Sequence, residues 1–114
     1  MNAELRHAVF VAVLLAAAGA SAETPVPPPG EALAFDRAKG NCLACHTMRG
    51  GDVPSNVGPE LSDMKARFPD RADLVAILTN EEARNPRTMM PPFGRNQILS
   101  ADEINKIVDF LYTL

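Results

Sequence analysis

Towards the C-terminus the apolar positions fall into a helical rhythm. Ile104, Ile107, Val108 and Leu111 stand at i, i+3, i+4 and i+7, with polar and charged residues between them. Phe110 and Tyr112 add aromatic bulk, and Ser100 and Glu103 precede the stripe at capping-box spacing, which predicts where the helix starts. A second periodic segment follows Asp70, a suitable N-cap, with Leu74, Ile77 and Leu78 on one side and an end before Pro86. Ala32, Leu33, Phe35 and Ala38 predict a further helix over residues 31–41, with Gly40 near its exit. Ala34 and Ala38 are four apart and stack on one face of that helix, where they would let the C-terminal helix approach closely. Residues 47–60 are rich in Gly, Asn, Ser and Pro and read as an irregular loop. Residues 23–30 hold four of the ten prolines and read as an extended leader. No segment alternates as a strand would, and no repeat or second domain is visible. The expected fold is all-α, about three to four helices.

The N-terminus changes the picture by setting a compartment. A weakly basic start with Arg6 and His7 precedes 13 apolar residues, Ala8 to Ala20, and then Ala20-Ser21-Ala22. That is the layout of a secretory signal peptide cleaved after Ala22. As a helix the apolar run would reach only about 20 Å, short of the ~30 Å hydrocarbon core that an anchor must cross. The expected mature chain, residues 23–114, loses Glu4 and Arg6 and keeps 13 acidic against 10 basic side chains, a net charge of −3. It has neither a basic stripe for nucleic acid nor a charge block long enough to form a tail. A domain this small has a thin core, which a bound metal or cofactor often supplements.

The candidate chemistry sits in Cys42-Leu43-Ala44-Cys45-His46, which contains both cysteines of the chain. This is the spacing of a c-type haem attachment site: each thiol adds to a haem vinyl group and the histidine ligates iron. Export and covalent haem agree, because c-type haem is attached after export. A zinc module built on the same three residues would lack a fourth ligand once His7 leaves with the signal. A redox dithiol would want a βαβ setting that the mature chain does not offer.

A thioether as sixth ligand would close the iron and suit it to electron transfer. Met48 is two residues from His46 and cannot reach the opposite haem face, while Met64, near Leu61 and Phe68, reads as a core filler. Met89 and Met90 remain, and in an extended segment only one of the two can face iron. Met90 is favoured because Pro91 biases it towards extended backbone and Pro91-Pro92 stiffens the loop; the competing reading has both methionines lining the pocket. The Pro59 carbonyl is the candidate acceptor for the other ring N–H of His46, and Leu61 a candidate haem contact. Arg95 and Asn96 are candidates for a propionate contact or a partner rim, with plain solvent exposure as the alternative; Arg49 and Lys39 read as solvated.

Together these stretches resemble class I cytochromes c, which share the order helix, CxxCH, Gly-Pro-x-Leu, Met-Pro loop and C-terminal helix. They are similar more closely to SoxX, the small monohaem subunit of sulfur-oxidising SoxAX complexes. The resemblance rests on Ala34 to His46, Asn56 to Leu61, Met90-Pro-Pro-Phe-Gly-Arg-Asn96 and Ile104 to Leu114, nearly the whole mature domain. It implies one covalent haem c, Met90 as distal ligand, and a SoxA-like haem subunit as partner in a heterodimer. It also implies a SoxYZ-like carrier whose cysteine receives thiosulfate, a soluble cytochrome c as electron acceptor, and a periplasmic location. A free-standing diffusible class I cytochrome c is the alternative. One departure stands out: class I members often carry Gly eight residues before the first cysteine, where this chain has Ala34.

Overall fold

The computed structural model describes residues 23–114; the expected signal peptide, residues 1–22, lies outside the described residues. Among the described residues there are four α-helices and no strand: α1 (Pro29–Phe35), α2 (Met64–Arg67), α3 (Arg71–Asn80) and α4 (Ala101–Leu111). Short 3-10 turns at Cys42–Ala44 and Glu81–Ala83 join them. The all-α class read from the sequence is the class observed. No described helix is long and apolar enough to cross a membrane.

Helix α4 forms where its local signals place it. The Ser100 hydroxyl accepts from Glu103 N at 3.1 Å, and the Glu103 carboxylate accepts from Ser100 N at 2.8 Å. Ile104, Ile107, Val108, Phe110 and Leu111 are buried along one stripe. Lys39, read as a solvated side chain, instead pairs with Glu103 at 2.8 Å. Its ammonium and the Ser100 cap hold the Glu103 carboxyl below the usual range. The folded-state pKa is therefore the lower one, so this contribution is present above the ordinary glutamate pKa and is lost as pH falls through the depressed value. Ser100→Ala removes the cap acceptor and is expected to cost about 1 kcal/mol. A chemical-denaturation midpoint that does not move would show the cap to be dispensable.

Helix α3 starts at Asp70, whose carboxylate accepts from Ala72 N at 2.9 Å, and buries Leu74 and Leu78. Arg71 fastens it to α4 through the Asn105 carbonyl at 2.9 Å and Asp109 at 2.9 Å. The Tyr112 hydroxyl donates to the Phe68 carbonyl at 2.7 Å, pinning the chain end over the exit of α2. Arg49, also read as solvated, donates to the Thr113 carbonyl at 2.6 Å.

Helix α1 differs from the expected 31–41 span. It begins at Pro29, with proline suited to the first helical position, and ends at Phe35. Asp36 leaves the helix at ψ 120°, and its carboxylate accepts from Ala38 N at 2.7 Å, so a local turn wins over helix propagation. Ala38 is consequently exposed and outside the helix, and the small-residue face is Gly30 with Ala34. Helix α1 packs across α4. A Cβ at Gly30 would overlap the Lys106 carbonyl oxygen and lie 2.7 Å from its carbon and 2.9 Å from Phe110 Cβ. Phe35 meets Phe110 edge to face, centroids 5.7 Å apart, and Ala34 is fully buried.

Candidate functional site

The crossing of α1 and α4 delivers the chain to the cysteine turn. Asn41 adopts φ 48°, a left-handed conformation that asparagine tolerates better than most residues, and reverses the backbone into Cys42. The Cys45 and His46 amides both donate to the Cys42 carbonyl, at 3.1 and 2.9 Å. Two thiols and an imidazole therefore project from one tight turn. Burial pushes the Cys42 thiol up to about 11, so in the free polypeptide it stays protonated at neutral pH.

His46 is held by the segment 12 to 15 residues further on. Its Nδ1 lies 2.6 Å from the Pro59 carbonyl oxygen. A carbonyl only accepts, so Nδ1 carries the hydrogen and Nε2 presents its lone pair. Gly58 N donates to the Cys45 carbonyl at 2.7 Å, Leu61 N donates to the Thr47 carbonyl at 2.9 Å, and Met48 and Leu61 form a single parallel bridge. A Cβ at Gly58 would stand 2.5 Å from His46 Cε1 and 2.7 Å from Nδ1. Only glycine lets this strand of loop pass against the ring. Taken alone in the sequence the Gly-Pro pair is only a turn signal, and it does not announce this steric demand for glycine.

The methionine loop is anchored at both ends. Before it, Thr88 N donates to the Asn85 carbonyl at 3.0 Å, and the Thr88 hydroxyl oxygen accepts from Met90 N at 3.0 Å. After it, Phe93 N bonds Pro91 O at 2.9 Å and Asn96 N bonds Pro92 O at 2.9 Å, while Gly94 N and Arg95 N reach back to Leu78 O and Thr79 O at the end of α3. Arg95, a candidate for a propionate or partner contact, is paired with Glu82 at 2.7 Å and so locks the loop to the turn after α3. Met89 is 83% exposed, whereas Met90 is half-buried and packs against the core. Met64 and Met48 are buried core residues.

Leu43, Leu61 and Met90 lean on the core without being covered by it. Two thiols, an imidazole with its Nε2 free for metal, and a thioether fit a covalently held iron porphyrin in donor chemistry. Two surface grooves lie elsewhere, one beside the start of α4 (Lys39, Gly94, Ser100, Ile104) and one along α3 (Phe68, Arg71, Ala76, Asn80). Neither is lined by Cys42, Cys45, His46 or Met90.

Residues 30–111 match the family model described as cytochrome C oxidase, cbb3-type, subunit III. Among solved structures, the crystal structure of SoxXA from P. pantotrophus is similar at 27% identity and a TM-score of 0.66, over 80% of this chain and 83% of that one. No curated protein matches the chain. The sequence motif, the helical frame and the two comparisons converge: the chain is a SoxX-like cytochrome c and belongs to the family described as cytochrome C oxidase, cbb3-type, subunit III.

Proposed function

We propose that this chain is a periplasmic monohaem c-type cytochrome, the electron-transfer subunit of a SoxAX-type complex that oxidatively joins thiosulfate to a cysteine of a SoxYZ-like carrier. The observation that carries this reading is the similarity to SoxXA across most of the described domain. The cysteine inventory supports the division of labour. Both thiols belong to the attachment turn, and residues 23–114 contain no histidine besides His46. No side chain is left for covalent sulfur chemistry or for proton shuttling by imidazole. The sulfur chemistry then belongs to a SoxA-like partner, and this subunit takes electrons onward to a soluble cytochrome c.

When bound, one haem supplies one-electron exchange. The chain's own residues set its terms. Cys42 and Cys45 would tether it, and the Pro59 carbonyl keeps the His46 Nδ1 hydrogen in place, which would leave Nε2 as the ligating atom. Met90, on its stiffened loop, would supply a neutral thioether, a ligand that favours the reduced state and raises the potential. Leu61, partly buried against the core, would give the haem an apolar contact.

The test is purification of tagged protein from the native periplasm. The expected result is an intact mass raised by one covalently bound haem and co-elution with a second haem c chain in one-to-one ratio. A haem-loaded chain that elutes alone would make it a free-standing carrier, and a mass equal to the bare polypeptide would remove the haem assignment itself.

A further inference from the structure

Met89 and Met90 are chemically identical neighbours, and nothing in the Met-Met pair itself says which thioether turns inward. The structure places a discriminating contact two residues upstream. Asn85 closes a turn by accepting from Arg87 N through its side chain at 3.2 Å and from Thr88 N through its carbonyl at 3.0 Å. Thr88 then continues that turn: its hydroxyl oxygen accepts from Met90 N at 3.0 Å, the two-residue side-chain-to-backbone pattern by which Ser and Thr hold a local fold. The Met90 amide is the last hydrogen-bonded backbone donor before Pro91 and Pro92, which have no N–H to give. Thr88 is half-buried, and the peptide it grips has Met89 pointing out and Met90 packed on the core.

We propose that Thr88 is a positioning residue for the axial thioether: its hydroxyl fixes the rotation of the Met89–Met90 peptide so that Met90, and not Met89, is held at the iron. The inference rests on the reading of Met90 as distal ligand. Thr88 acts through the Met90 backbone and not as a ligand itself. Without its oxygen, the Met90 amide loses its one intrachain acceptor in the loop, and the peptide is free to swing.

The experiment uses the haem-loaded full chain in its ferric form, with imidazole as the competing ligand and the sulfur-to-iron near-infrared band as the readout. Thr88→Val keeps the shape and removes the acceptor; Thr88→Ser keeps the acceptor and removes a methyl group. The energy of one net hydrogen bond corresponds to an increase of about five- to tenfold in the thioether-detached population. Imidazole affinity is therefore expected to rise about five- to tenfold in Thr88→Val and to stay within about twofold of the parent in Thr88→Ser. A denaturation midpoint measured on the same samples separates loosening of the loop from loosening of the domain, and it is expected to move little. Equal imidazole affinity in Thr88→Val and the parent would overturn the proposal while leaving Met90 as ligand. An equal rise in both variants would overturn it too, because the acceptor would then not be the cause. A parent protein that shows no sulfur-to-iron band would instead overturn the ligand reading, and this inference with it.

Discussion

Met90→Ala is expected to abolish the sulfur-to-iron band of the haem-loaded protein and to lower its reduction potential, while Met89→Ala leaves both nearly unchanged. The asymmetry follows from how the loop is built. Met89 is 83% exposed, so its truncation removes a side chain that contacts mostly water. Met90 is half-buried against the core and is tied by its amide to Thr88. Loss of a thioether ligand removes a donor that favours the reduced state, so the potential should fall on the order of 0.1 V, within the roughly 0.8 V that axial ligation spans across haem proteins. The packing cost is smaller in kind: truncating a half-buried methionine costs roughly 1–2 kcal/mol. Against a stability on the order of 5–15 kcal/mol the variant should remain folded, so a spectral change reports ligation and not collapse. Loss of the band in Met89→Ala, with retention in Met90→Ala, would reverse the ligand choice.

What the sequence made legible was what local chemistry decides. The Ser100–Glu103 box and the Asp70 cap each act within three residues of themselves, and both helices start where those residues stand. The cysteine turn is likewise a pentapeptide whose spacing carries its chemistry. Other features depend on competition or distance. Residues 31–41 have good helix formers, but Asp36 offers its own carboxylate to Ala38 N, and Asn41 N turns back to the Asp36 carbonyl at 2.9 Å. That contest ends α1 at Phe35, and a count of apolar residues does not see it. At the other end Pro29 suits the first helical position, yet within a run of prolines the same residue also suits an extended leader. The pairing of Arg95 with Glu82 joins residues 13 apart, and that of Lys39 with Glu103 residues 64 apart. Neither charge carries a local mark of its partner. Gly58 is a mixed case: the spacing suggests that the Pro59 carbonyl meets the His46 ring, but it does not show that the ring presses so closely on Gly58 that a Cβ has no room.

Gly30→Ala is expected to be among the most damaging single-methyl changes in this domain, and two opposing effects make it a sharp test. Gly30 lies in the first turn of α1, where alanine would ordinarily help, by about 0.4–1 kcal/mol, through the lower entropy of the unfolded chain. Sterics oppose this. The new Cβ would overlap the Lys106 carbonyl oxygen of α4 and crowd its carbon at 2.7 Å and Phe110 Cβ at 2.9 Å. The obstruction is helix backbone, which cannot rotate aside as a side-chain tip can, so α1 and α4 must separate. Overpacking of this kind costs typically 1–3 kcal/mol, which exceeds the propensity gain. A domain of this size loses about 4–8 °C of melting temperature per kcal/mol, so a drop of roughly 5–15 °C is expected. Separation would also unload the Phe35–Phe110 edge contact and the fully buried Ala34 methyl group. Ala34→Gly is the informative companion. If that methyl group strained the crossing, glycine there would relieve it; because it is fully buried within an ordered helix, its removal should destabilise by about 1 kcal/mol or more through lost helix propensity and packing. The pair Gly30 and Ala34 would then be the ordered small-residue face on which the two helices meet, with the glycine one turn earlier than the class I position. A melting temperature raised by Gly30→Ala would mean that the helices do not approach this closely in solution, and the frame that aims Cys42 and His46 would have to be held elsewhere.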